Sequence, residues 1–147
     1  MLLLENMEIN FSPGLNVFTG ETGAGKSIIL ECLGFVLGKK SKNRFLRTYC
    51  DRGEVVAIFM VRESGEIKQL VDTLSIEWTD TLIIRRVEFS DGRRKAYIND
   101  ISCTLETVQK IGAKLVEFVD QKDGSSVLKK SNHINLLDDF SGNKNEV

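Results

Sequence analysis

Residues 20–27 read GETGAGKS. Few stretches of eight residues restrict a chain so strongly. Gly20, Gly25, Lys26 and Ser27 match GxxxxGKS, the Walker A pattern. Glycines let a backbone turn so that successive N–H groups point inward, at phosphate oxygens. A helix beginning near Lys26 adds the partial positive charge of its first turn. The Lys26 ammonium suits the β- and γ-phosphates, and the Ser27 hydroxyl is a hard oxygen ligand for Mg²⁺. Gly20, Glu21, Thr22, Gly23, Ala24, Gly25, Lys26 and Ser27 are therefore read together as a loop for a nucleoside triphosphate, with ATP and Mg²⁺ as the expected ligands.

The flanking residues agree with a strand, a loop and a helix. MEINF (7–11) alternates apolar and polar, and LNVFT (15–19) reads as a second strand. Between them Pro13 and Gly14 occupy the central positions of a type II turn, so residues 1–19 are expected to form a hairpin. SIILECLGFVLG (27–38) is apolar nearly all round apart from Glu31, which predicts a buried helix, with Gly38 as its C-terminal cap. Downstream, EVVAIFMV (54–61), TLIIRRVEF (81–89) and RKAYIN (94–99) read as strands, the last two joined at Asp91–Gly92, a hairpin signal in which both residues tolerate positive φ. IKQLVDTL (67–74) predicts a short helix, and Thr104 caps another running to about Ala113. KLVEFVD (114–120) reads as an apolar strand, and residues 131–141 as a closing helix before a polar tail expected to fray.

Composition narrows the partners. Of 147 residues, 41% are hydrophobic and 28% charged, the balance of an ordinary globular domain, and the net charge of −1 supplies no global basic field. No apolar stretch is long enough to span a bilayer, and MLLLENME lacks the basic start of a signal peptide, so an intracellular chain is expected. Cys32, Cys50 and Cys103 are widely spaced and odd in number, and the single His133 is far from all of them, which argues against a disulfide framework or a zinc site. Two segments are locally basic, KKSKNRFLR (39–47) and RRVEFSDGRRK (85–95), with five basic residues each. Each reads either as a solvated surface or as a contact for DNA phosphates.

A Walker A loop alone names no reaction. Here it follows a hairpin and precedes strands that read as an antiparallel meander, which suggests the head of an ATP-binding-cassette ATPase. FSPGLNVFTGETGAGKSIILECLGFVLGKK resembles the start of the RecN family of bacterial DNA-repair ATPases, relatives of the SMC proteins. The resemblance continues through FLRTYCDRGEVVAIF and DGRRKAYINDISCTLETVQKIGAKLVEFVDQ to HINLLDDFSG. It implies an α/β fold, a P-loop NTPase of the ABC-type head, here the N-terminal lobe with an antiparallel β subdomain in residues 54–103. Residues 104–121 would lead by helix and strand into a Q-loop. In that family a C-terminal lobe completes the head, two heads sandwich ATP, and the protein acts on DNA at double-strand breaks, in the cytoplasm and beside the nucleoid. The family's signature loop, Walker B acids and switch histidine belong to the other lobe, so the resemblance implies ATP binding with little or no hydrolysis by this chain alone. A further strand precedes LLLENMEINF in the family.

Asp120 and Gln121 carry two readings. By pattern, apolar residues ending in Asp120 resemble a Walker B strand whose carboxylate holds Mg²⁺; Asp120 also suits a simple turn cap. By resemblance, Gln121 is the Q-loop residue that reaches the metal and orients the attacking water, although VDQKDGSS departs from the family's His- and Gln-rich run. Two other functions fit the motif: a self-contained nucleotide or small-molecule kinase, using Asp120 and the arginines at 85–94, and a non-catalytic interaction module that keeps the fold.

Overall fold

The computed structural model describes residues 6–19, 25–40, 46, 49–62 and 65–118. The chain divides after Leu115, and of the second unit, Val116–Val147, only residues 116–118 are described.

Helix α1 spans Lys26–Val36. It ends as its sequence dictates. Gly38 takes φ +90°, its N–H donates to the Phe35 carbonyl at 3.0 Å, and the Lys39 N–H donates to Gly34 at 2.8 Å. These are the paired bonds of a Schellman ending, which satisfy carbonyls the helix itself leaves open. Burial is less uniform than the apolar sequence predicts. Gly34, Phe35 and Val36 are buried, whereas Leu30 is 62% exposed. Only the C-terminal half of α1 is covered by the sheet.

That sheet is a four-stranded antiparallel meander in the order β1-β2-β3-β4: Arg52–Met60, Thr81–Phe89, Arg94–Ile98 and Ile101–Cys103. The expected antiparallel layer is present. Its register pairs Ala57 with Ile84 and Ile84 with Ile98, so these side chains share one face. On this face Leu82, Ile84 and Ile98 pack with Phe35 and Val36 of α1 and Val108 and Ile111 of α3 into a single core. The opposite face leaves Val56, Ile58 and Met60 exposed.

Between β1 and β2 lies the short helix α2, Gly65–Asp72, which buries Ile67 and Val71, one turn apart. Helix α3, Leu105–Leu115, begins where Thr104 Oγ1 accepts the Thr107 N–H at 3.2 Å, the expected cap. Val108 and Ile111 lie one turn apart on its buried side. Gly112 sits against α1's end so closely that a Cβ there would lie 2.7 Å from the Leu37 carbonyl oxygen.

Three expectations are corrected and one strand is added. The N-terminal hairpin lacks its ladder: residues 6–19 contain no strand. The turn is made, with Gly14 at φ +89° and the Asn16 amide bonded to Ser12 and Gly14, and the Phe11 and Phe18 rings meet edge-on at 5.9 Å. Strand pairing fails because two short strands without a third are marginal, and here Leu15 is 90% exposed. At the β2–β3 turn only Gly92 takes positive φ, because Asp91 instead accepts the Arg93 N–H with its carboxylate. Strand β4 was not anticipated. It follows from Asn99 and Asp100, both left-handed at φ 45° and 64°, which form the two-residue turn that matches strand twist. Finally, the strand expected at 114–120 is not formed across its described part: Lys114 and Leu115 close α3, and residues 116–118 have no regular structure. The closing helix at 131–141 lies outside the described residues, as do residues 119–121.

Candidate functional site

Of the expected phosphate loop, Gly25, Lys26 and Ser27 are described; Gly20, Glu21, Thr22, Gly23 and Ala24 are not. Gly25 is the N-cap of α1 at φ 90°, ψ −24°. A Cβ at Gly25 would meet nothing within 4 Å, so glycine is required there by conformation and not by space. Its carbonyl accepts the first helical bond, from the Ile29 N–H at 3.1 Å. Among the described residues no side chain caps the helix, and no acidic residue stands in its first turn. The first-turn amides thus point out of the helix end, with the helix dipole behind them. Ser27 is exposed. This end fits an anion, and the donor set of amides, one ammonium and one hydroxyl fits a phosphate with Mg²⁺. Asp120 and Gln121 lie outside the described residues, so the two are not brought to this end by anything observed.

A groove of about 600 Å³ runs beside α1, with Ile9, Phe11, Ile28, Cys32, Val55 and Ala57 among its walls. It is the apolar hollow left between the unladdered N-terminal segment and the first strand.

The two basic segments meet at the other end of α1. Lys39 and Lys40, just past the helix, face Arg86 and Arg94 of the sheet across a hollow of about 580 Å³. Register explains the pairing: Arg86 opposes Ala96 and Glu88 opposes Arg94, so Arg86, Glu88 and Arg94 project from one face. Glu88 is buried and accepts both the Nε and one terminal nitrogen of Arg94, at 3.1 and 2.9 Å. Arg86 is 3% exposed. It donates to the Phe35 carbonyl at 2.5 Å and lies over the Phe35 ring at 4.1 Å. Burial first, and Arg94 second, push its guanidinium down to about 10, with Glu88 opposing them. It therefore remains cationic at neutral pH. The other arginines of the segment are engaged elsewhere: Arg85 with Asp100 at 3.0 Å and the Tyr97 ring, Arg93 with Asp91. These engagements are with the sheet's own turns and lend no support to the use of the arginines as a kinase lid.

Sequence reading missed this cluster as a unit. The period-two spacing of Arg86, Glu88 and, across a hairpin, Arg94 is the signal that marks it. Among the described residues no group of acidic, cysteine or histidine side chains is arranged to hold a metal ion. None of their helices is long and apolar enough to cross a membrane.

Fold and loop together define the class. The chain belongs to the AAA domain family, whose pattern matches residues 2–146. Its nearer likeness is to the DNA repair protein RecN: 33% identity over 95% of this chain with that of Halalkalibacterium halodurans, and 34% over 95% with that of Rickettsia conorii. The chain spans about a quarter of the length of these relatives. Among solved structures, one from work titled "Structural biochemistry of ATP-driven dimerization and DNA stimulated activation of SMC ATPases" superimposes with a TM-score of 0.59 at 25% identity, covering 90% of this chain and 87% of that one. The fold is that of a P-loop NTPase of the ABC-type head, N-terminal lobe, with an antiparallel β subdomain.

Proposed function

We propose that this chain is the nucleotide-holding lobe of a RecN-like ATPase in double-strand-break repair. The observation that carries the reading is the left-handed Gly25 at the uncapped start of α1, followed at once by Lys26 and Ser27. Residues 20–25 would wrap their amides around the phosphates. Lys26 would neutralise the β- and γ-phosphates, and Ser27 would ligate Mg²⁺. Bound ATP supplies the phosphoanhydride whose cleavage drives such heads. Gln121 would orient water, or Asp120 would hold the metal; both remain proposals. DNA, a C-terminal lobe and a second head are the partners the relatives suggest, and the cytoplasmic, nucleoid-associated setting follows from them.

Hydrolysis needs an oriented water and charge stabilisation as well as phosphate binding. In this reading those groups come from the other lobe and the opposing head, so the chain alone binds ATP with little or no turnover. Calorimetry with ATP and Mg²⁺ tests the proposal. Binding should appear by millimolar ligand, and Lys26→Ala should weaken it by roughly tenfold or more, the worth of one charged hydrogen bond. No heat at millimolar ATP, or binding unchanged in Lys26→Ala, would overturn the nucleotide site. Steady turnover that Lys26→Ala abolishes would overturn the assignment of catalysis to absent lobes.

A further inference from the structure

We infer that the free edge of β1 is an interface for a second copy of this chain, which joins it antiparallel through its own β1, with residues 54–62 of each copy side by side and Ile58 at the two-fold axis. Strand order makes β1 an edge. Among the described residues β2 is its only strand neighbour, and residues 6–19 form no ladder with it. The sheet's other edge, β4, is three residues long; this one is nine. Long edges are ordinarily blunted by lysine, proline or a bulge. The register of β1 with β2 runs without a bulge, and residues 55–60, VVAIFM, hold no charge and no proline.

Period two decides what the edge offers. The Val61 N–H donates to the Asp80 carbonyl at 2.9 Å, and the Asp51 carbonyl accepts the Ser90 N–H at 2.9 Å. The odd-numbered residues of β1 therefore turn their backbone groups toward β2. The even-numbered ones, Arg52, Glu54, Val56, Ile58 and Met60, turn theirs to the free edge. Their side chains are also the exposed set, with Val56 at 46%, Ile58 at 66% and Met60 at 82%. Ile83, paired with Ile58, extends this apolar stripe into β2. An incoming strand thus gains main-chain bonds and apolar cover at the same residues. Charge selects the second copy and its register. The two stripes share a face only when even-numbered residues oppose even-numbered ones. Centred on Val56, the pairing sets Glu54 against Ile58 of the second copy and Arg52 against Met60. Centred on Ala57, it sets Arg52 against Arg62, a like pair. Centred on Ile58, it sets Glu54 against the exposed Arg62 at both ends and Val56 against Met60 between them. Glu54 is able to accept, since Arg52 and Arg85 stand 3.8 and 3.7 Å away, beyond hydrogen-bond length, and Arg85 is held by Asp100. The same patch serves both copies, so the contact closes at two.

The experiment is equilibrium sedimentation of the full chain from about 10 µM to about 1 mM, the range of a small strand-to-strand interface. A monomer–dimer equilibrium is expected. It should be the same with and without ATP and Mg²⁺, and in Lys26→Ala, so the outcome is independent of the nucleotide reading. Ile58→Lys sets like charges opposite each other at the axis and should weaken the dimer by about tenfold or more. Met60→Lys, at a still more exposed position, should act in the same direction and decides the matter if Ile58→Lys fails to fold. Ile101→Lys makes the same change at the other edge and should leave the affinity within about twofold. Glu54→Arg and Arg62→Glu should each weaken the dimer by about threefold or more, and the double variant should restore it. A monomer throughout, a dimer indifferent to both lysine variants at β1, association beyond two copies, or a double charge reversal that restores nothing would overturn the interface. In a monomer, slow hydrogen exchange at the Val56 and Ile58 amides would give the edge to the chain's own N-terminal residues, and fast exchange would leave it to a different protein; both reject the second copy.

Discussion

Replacing Gly38 by alanine tests how α1 and α3 are locked together. Two separate costs arise. Gly38 has φ +90°, a left-handed conformation that costs an L-residue roughly 1–2 kcal/mol. The new Cβ would also lie 2.7 Å from Gln109 Cγ, 3.1 Å from the Gln109 backbone nitrogen and 3.2 Å from its Cα. Two of these atoms are backbone, so α3 itself must shift, and overpacking of that kind typically costs about 1–3 kcal/mol. The shift would also strain the bond from the Gln109 side chain to the Gly38 carbonyl, 2.9 Å long. Together the loss should be about 2–5 kcal/mol. The control is Gly92→Ala. Gly92 has φ +85°, yet a Cβ there meets nothing within 4 Å, so it carries the conformational cost alone. In urea, with a slope of about 1–3 kcal/mol/M, Gly38→Ala should lower the midpoint by about 1 M or more, and Gly92→Ala by less than half as much. Equal midpoints for the two variants would refute the close packing of α1's end on α3.

Two further outcomes are expected. Glu88→Gln removes the buried countercharge of Arg94 while keeping the shape, and should cost about 3 kcal/mol in denaturant unfolding, with part recovered in Glu88→Gln/Arg94→Gln; a loss below about 0.5 kcal/mol would show that the pair contributes little. In thiol titration near pH 8, the exposed Cys50 should react first. Cys32 and Cys103 should lag, because burial pushes both thiols up, aided at Cys32 by Glu31. A raised thiol favours the folded state below the ordinary thiol range and loses that contribution as pH rises through and beyond it, so the alkaline limb of stability should flatten in Cys32→Ser/Cys103→Ser. Cys103 reacting as fast as Cys50 would contradict its placement.

What the sequence alone determined is whatever depends on neighbours a few residues away. Gly25 and Gly38 bracket α1 because only glycine takes left-handed φ without strain, and Thr104 starts α3 because its hydroxyl reaches the Thr107 amide. The strand-like runs at 54–61, 81–89 and 94–99, the last two joined at Asp91–Gly92, announced an antiparallel layer for the same local reason. The phosphate-loop pattern of residues 20–27 is read from the sequence alone, and the fold adds the left-handed Gly25 at the start of α1.

Tertiary structure alone decided the rest. A strand exists only if a distant strand offers its ladder, so 7–11 and 15–19 stay unladdered, whereas Ile101–Cys103, three residues with little pattern, becomes β4 because β3 lies alongside. Burial of α1 depends on which of its turns the sheet reaches, which no apolar count reveals. The meeting of Lys39 and Lys40 with Arg86 and Arg94 joins segments some fifty residues apart, through a sheet register and a helix end. Charges separated along a chain come together only when packing brings their segments side by side.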